Sequence, residues 1–260
     1  MESEIEFSRV SQFGVICGDI TLSRPEKGNA LTLPMLERLR DIISEIHSDL
    51  DIRVVLVRAR GRFFCTGGDI EAWGSLSPNE MARDWILPGI DVFERLAALP
   101  QPVIAAISGH ALGGGLELAM AADLRIALQS VKLGLPEVTL GMISGWTGIG
   151  RLAELIGNAR ARHLAVLGAT ITAAQALDWG LITALAQDHD DMDRQLNTWL
   201  ERLCANGPAA MTLTKGILAN LHKDLRHHSA AAAAQALTTE DCAEGVRAFR
   251  EKRKPVYRNR

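Results

Sequence analysis

Hydrophobic and polar residues alternate around Ile5–Val10 and again over Gly14–Leu22, the period-two pattern of half-buried strands. The second stretch runs out at the turn SRPEKGNA. Thr32 then stands as an N-cap with Pro34 in the first turn of a helix. Leu36, Leu39, Ile43, Ile46 and Leu50 recur at helical spacing and predict one buried face. RVVLVRA (53–59) reads as a β-branched strand, and GRFFCTGGDIEAW as a Gly-punctuated turn into a helix or loop. A helical stretch around 80–98 ends at LPQP, after which VIAAIS (103–108) is a further strand. LRIAL (124–128) and a short VKLG segment follow, then LPEVTLGMISGWTGIGRL, in which Glu137 precedes an apolar, strand-like piece.

Up to about residue 180 the rhythm is strand, strand or turn, then helix, which predicts an α/β fold of stacked ββα-like units. From about 190 onward the pattern is nearly all helical: 191–206, 208–223 and 229–249. The alanine-rich SAAAAAQAL is a good helix former with periodic sequence on either side, so it reads as helix rather than low complexity.

Composition narrows the class. At 260 residues, 47% hydrophobic and 23% charged, the chain has a globular profile and length enough for a large core. A formal charge of −3 gives no electrostatic reason to expect nucleic acid as a partner. No apolar run is long and charge-free enough to span a membrane, and the N-terminus lacks the layout of a secretory or transit signal. Cys17, Cys65, Cys204 and Cys242 are widely spaced with no CxxC pair, so a reducing, cytoplasmic setting is expected. DHDDMD (188–193) lacks calcium-loop spacing and reads as an acidic helix start; His227-His228 reads as surface. There is no GxSxG elbow, no GxxxxGK[ST] loop, no dinucleotide signature and no metal constellation.

The candidate chemistry sits in GHALGGGLELAMAAD (109–123), where a strand feeds a glycine turn that opens an apolar helix. A helix N-terminus presents unpaired N–H groups and partial positive charge, and glycines let that backbone approach a ligand closely. Glu117 lies three residues past Gly114, roughly 4.5 Å along the axis. An acid buried there is costly unless paired or functional, and the local sequence allows either a buried ion pair or a site. CTGGDIEAW offers a second cluster of free N–H groups at Gly67–Asp69, equally readable as a surface turn, and GLPEVTLGMISGWTG adds Glu137.

In order along the chain, RPEKGNALT, FFCTGGDI, PVIAAISGHALGGGLELAMAADLRIA, GLPEVTLGMISG, GATITAAQALDWGLI and AFREKRKP resemble the enoyl-CoA hydratase/isomerase (crotonase) superfamily, from about residue 5 to the C-terminus. The resemblance implies an α/β crotonase-type spiral of ββα units carrying the active site (1–195), then a C-terminal helical region (196–260) that builds trimers or dimers of trimers and part of the CoA site. It implies an acyl-CoA thioester substrate whose oxyanion is held by the N–H groups of Gly68 and Gly114. By the same resemblance Glu117 orients or deprotonates water, Glu137 protonates Cα, and the Gly145 backbone helps to hold the water. Retention of both glutamates implies syn hydration of a 2-trans-enoyl-CoA in fatty acid metabolism, with no cofactor beyond the CoA of the substrate. Enoyl-CoA isomerisation, other enolate chemistry and non-catalytic acyl-CoA binding are the alternatives.

The resemblance also implies CoA contacts, largely through backbone, from Lys27, Asn29, Ala30, Asp69 and Ile70. Phe249 and Lys252 would lie near the nucleotide end, often reaching a neighbouring subunit. One stretch departs from the family pattern: Ser144 replaces a proline, Thr147 a glycine and Ile149-Gly150 a Thr-Gln pair, while Gly145, Gly148 and Arg151 are kept. Trp146 in this loop would narrow the acyl pocket or line an apolar one.

Overall fold

The two alternating segments form a hairpin of β1 (Ile5–Gln12) and β2 (Val15–Leu22), in register from Ile5↔Leu22 to Gln12↔Val15. The computed structural model describes residues 4–219, 231 and 233–258. β3 (Ile52–Ala59), β5 (Val103–Ile107), β7 (Leu124–Leu128) and β10 (Ala184–Ala186) extend the hairpin into a six-stranded sheet of order β1-β2-β3-β5-β7-β10. Beyond the hairpin every pairing in this sheet is parallel. β5 is buried at every position, and β3 at all but its last two, which is why VIAAI and the VVLV of β3 read as apolar runs instead of alternation, with Arg53 the one charged residue among the buried positions. α1 (Leu33–Ser48) covers the sheet as predicted, with Met35 N–H donating to the Thr32 hydroxyl at 3.4 Å. Leu50 falls outside this helix and is exposed.

A second, four-stranded sheet has the order β4-β6-β8-β9, from β4 (Phe63–Cys65), β6 (His110–Leu112), β8 (Lys132–Gly134) and β9 (Thr170–Thr172). Strands of three residues carry no usable periodicity, so β4 and β6 are hidden within what reads as glycine turns. Three successive units now share one plan. β3 leads through β4 to α2 (Ile70–Trp73), β5 through β6 to α5 (Gly114–Met120), and β7 through β8 to a 3-10 turn, Glu137–Leu140. β4, β6 and β8 are parallel neighbours, so their carboxyl ends lie side by side, where α/β folds bind ligands.

Several boundaries differ from expectation. The strand-like piece after Glu137 is that 3-10 turn, closed by Gly141 in the left-handed region at φ +72°. The helix near 80–98 is assembled from α3 (Pro78–Glu80), a π-helical turn (Met81–Ile86) and α4 (Leu87–Ala97). α6 (Gly148–Ala165) and α7 (Ala173–Trp179) precede the final strand. α8 (His189–Ala205) runs through residue 195 and buries Met192, Leu196 and Leu200 in the main core, so packing on the sheet continues past that boundary. Asp188 caps α8 by accepting from Asp191 N–H at 2.8 Å, consistent with an acidic helix start. α9 (Pro208–Leu218) follows; 220–223, 229–230 and His227-His228 lie outside the described residues. The last predicted helix breaks at Thr238-Thr239: residues 233–237 are helical, and Thr239 caps α10 (Glu240–Glu251) through Cys242 N–H. Among the described residues no helix is long and apolar enough to cross a membrane, and no cluster of side chains has the makings of a metal site.

Candidate active site

Gly68 follows β4, Gly114 follows β6 and Glu137 follows β8, so the three parallel strands deliver them to one place. They border a cavity of about 210 Å³ together with Glu117, Gly145 and Trp146. Leu31 N–H donates to Gly67 O and Asp69 N–H to Leu31 O, leaving the Gly68 N–H between them without an acceptor among the described residues. Gly114 opens α5, where a backbone N–H has no intrahelical acceptor, and it too donates to no described residue. The glycines are sterically required. A Cβ on Gly67 (φ +103°) would lie 3.0 Å from Gly114 N, and one on Gly113 (φ +55°) 3.0 Å from Glu137 Oε1. Two free amides therefore approach one cavity because no side chain stands between them.

α5 is buried throughout, and Glu117 is 1% exposed. Its carboxylate is held by backbone and by no ion pair among the described residues, which resolves the alternative that local sequence left open. Trp146 N–H donates to Glu117 Oε1 at 3.0 Å and Gly148 N–H at 2.7 Å. Burial pushes the Glu117 carboxyl up to about 7; the charge of Glu137 adds to this, while the two amides and the Arg151 guanidinium oppose it. Thr147, between the two donors, is left-handed at φ +68°, where the resembled pattern has glycine. Its hydroxyl accepts from Arg151 Nη1 at 3.1 Å and donates to Trp146 O at 2.6 Å, bonds that hold the unusual conformation in place.

Glu137 is treated differently. Both carboxylate oxygens are buried, and neither meets a donor at good hydrogen-bond geometry among the described residues. Burial raises its pKa, with its own backbone amide and the nearby Ser144 hydroxyl pulling the other way. One carboxylate is thus braced as an acceptor, and the other is left to bond whatever enters the cavity.

Trp146 is 2% exposed and forms the floor. Its ring packs on Phe93 and Trp85 at centroid separations of 5.3 and 5.6 Å. Its Nε1–H donates to Trp85 O at 3.4 Å. A Cβ on Gly114 would meet this ring at 2.4 Å, so the indole lies directly against the glycine at the helix N-terminus. Trp146 therefore presents an apolar ring to the cavity. Trp73, Trp85, Ile86, Met142 and Ile143 also line it. None of these five stood out in the sequence: Trp85, for example, sits in a segment whose periodicity signals only a core-facing helix.

The residues expected near CoA divide. Ile70 is exposed at the rim of the cavity, and Lys27 pairs with Glu71 at 3.1 Å on the surface nearby. Asn29 and Asp69 have structural side chains. Asn29 is fully buried, donates to Arg60 O and Phe63 O at 2.9 and 2.7 Å, and accepts from Arg24 N–H. Asp69 accepts from Arg24 Nη1 at 2.7 Å and caps α2 through Glu71 N–H. Ala30 is buried, with its carbonyl accepting from Arg24 Nη1. The side chains of Asn29 and Asp69 are thus used within the fold, while those of Lys27 and Ile70 reach solvent. Phe249, 85% exposed, and Lys252, at the left-handed end of α10, do not border this cavity. Asn29→Ala is expected to lower the unfolding free energy by about 2–4 kcal/mol in denaturant titration, because it removes the side-chain partner of two part-buried carbonyls and an amide.

The family model for enoyl-CoA hydratase/isomerase matches residues 13–260. A Bacillus subtilis (strain 168) protein named "Probable enoyl-CoA hydratase" is 36% identical over 96% of this chain and 96% of its own length. The Short-chain-enoyl-CoA hydratase of Clostridium acetobutylicum is 34% identical over 90% of this chain and 91% of its own. The crystal structure of an enoyl-CoA hydratase from Bacillus anthracis superposes with a TM-score of 0.92 at 35% identity, covering 99% of this chain and 100% of that one.

Proposed function

Because the chain belongs to the enoyl-CoA hydratase/isomerase family, we propose that it adds water syn across the double bond of a 2-trans-enoyl-CoA to give a 3-hydroxyacyl-CoA. The observation that carries this reading is the pairing of a braced carboxylate, Glu117, with an unpartnered one, Glu137, in a cavity that also receives two free backbone amides. The thioester oxygen lies between the N–H groups of Gly68 and Gly114. As water attacks Cβ, negative charge moves onto that oxygen, and each preorganised donor lowers the barrier by about 3–4 kcal/mol. Glu117, one oxygen fixed by two amides, orients the water and takes its proton, with the Gly145 backbone helping to hold the water. Glu137 delivers a proton to Cα from the same cavity, so both new bonds form on one face. Elimination of water is the same path reversed.

This chemistry needs the two carboxyls to hold one proton between them, and the apparent pKa values belong to the pair. With Glu117 pushed up to about 7 and Glu137 raised above its ordinary value, the last proton leaves near neutrality. We expect a bell-shaped pH profile of kcat/KM whose alkaline limb falls through about pH 7, read as loss of the conjugated enoyl absorbance. Monotonic growth of kcat/KM from pH 5 to 9 would contradict the shared-proton assignment.

The reading needs no cofactor besides the CoA carried by the substrate, and a reducing cytoplasmic setting accords with four free cysteines. The exposure of Phe249 on α10 and of Lys252 at its C-cap supports trimers or dimers of trimers, in which a neighbouring chain's CoA meets these residues. Incubation with crotonyl-CoA in deuterated, oxygen-labelled water tests the reaction itself. Solvent oxygen at Cβ with deuterium at Cα is the expected result, whereas double-bond migration without added oxygen would make the protein an isomerase. Binding of CoA esters with no turnover would make it a non-catalytic member.

A further inference from the structure

Ile86 stands between two apolar spaces. The reaction cavity and an outer groove along Pro78, Met81, Ala82 and Leu87 have four walls in common: Ile86, Met142, Ile143 and Gly145. Gly145 contributes no side chain there, and a Cβ on it would lie 2.4 Å from Ile86 Cδ1. The isoleucine therefore fills the gap over the glycine. The floor beside it is closed by the Trp146 indole, which touches Phe93, Trp85 and the Cα edges of Gly89 and Gly114. An acyl chain growing from the reacting carbons meets a wedged indole below and, toward the groove, the Ile86 side chain beside Met142 and Ile143. Ile86 ends the π-helical turn Met81–Ile86, a local irregularity that often marks functional positions. Outside it, Leu87 and Ile143 leave more than half their surface in solvent, the kind of clustered apolar exposure that a ligand covers.

We propose that Ile86, packed over Gly145, is the gate that sets acyl-chain length, admitting compact acyl groups when closed and passing longer chains into the outer groove only when it swings aside. This rests on the hydratase reading for the identity of the ligand. The occupant of the groove is the distal end of the substrate's own alkyl chain, because the groove adjoins the cavity across their shared walls and is lined, Ser144 apart, by apolar residues.

The test compares wild type, Ile86→Val and Ile86→Ala on crotonyl-CoA and 2-decenoyl-CoA, with binding of butyryl-CoA and decanoyl-CoA followed by calorimetry. Trimming the gate is expected to raise the decenoyl-to-crotonyl ratio of kcat/KM by about tenfold or more in Ile86→Ala, with Ile86→Val between. The ratio of the two dissociation constants should shift in the same direction. Ratios equal in all three proteins would overturn the gate. If wild type hydrates neither ester, the hydratase reading falls, and the binding ratios alone still decide whether Ile86 limits chain length.

Discussion

Glu137→Gln is expected to lower kcat for crotonyl-CoA hydration by about 10²–10⁴-fold while leaving the folded state at least as stable as wild type. The two halves of this prediction have one cause. The Glu137 carboxyl is buried with no well-formed hydrogen bond among the described residues, so it adds little to folding and costs something to bury. A neutral amide of the same shape fills the space at lower cost but has no proton to deliver to Cα. Calorimetric unfolding should therefore give an unchanged or higher Tm, and butyryl-CoA should bind as before, since the amides of Gly68 and Gly114 are untouched. Full hydration by this variant would sink the proposed mechanism. A large loss of Tm would show instead that Glu137 has a structural partner.

Glu117 should behave in the opposite way on stability. Its Oε1 accepts from Trp146 N–H and Gly148 N–H, and a Cβ on Gly148 would lie 2.2 Å from Glu117 Cγ, so the loop is folded tightly onto the side chain. Glu117→Ala strands both buried amides and opens a void beneath the loop, at a cost of about 2–5 kcal/mol in denaturant unfolding. Glu117→Gln keeps an acceptor oxygen for the two donors and should remain folded. It loses the ability to take a proton from water, and kcat should fall by about 10²–10⁴-fold. The contrast decides the roles. If Glu117→Gln were as unstable as Glu117→Ala, charge rather than an acceptor would be holding the loop. If Glu117→Gln kept its activity, the base would lie elsewhere.

Much of the architecture was legible from pattern alone, and the reasons are local. β1, β2 and β3 are long enough for alternation or a β-branched run to show, and Thr32 with Pro34 marks the start of α1. The glycine turns at Gly67-Gly68 and Gly113-Gly114 were visible because few residues other than glycine suit such positions. What stayed hidden was short or context-dependent. β4 and β6 have three residues each and disappear inside their turns. The piece after Glu137 is apolar like a strand, yet Gly141 in the left-handed region closes it into a 3-10 turn. Asn29 and Asp69 sit in the right segments for a ligand, but their side chains are consumed by Arg24 and neighbouring carbonyls.

The sequence by itself determined which elements form, where glycines make backbone amides accessible, and that a carboxylate is buried in α5. These depend on residues within a turn or two of one another. Only the tertiary structure decided that the ends of β4, β6 and β8 meet, since parallel pairing joins segments far apart in the chain and no local pattern encodes it. It also decided what Glu117 bonds to. A buried carboxylate must find partners, but whether they are an arginine or the two amides flanking Thr147 depends on which loop packs against it. The difference between the two glutamates, one braced and one bare, is a property of that packing.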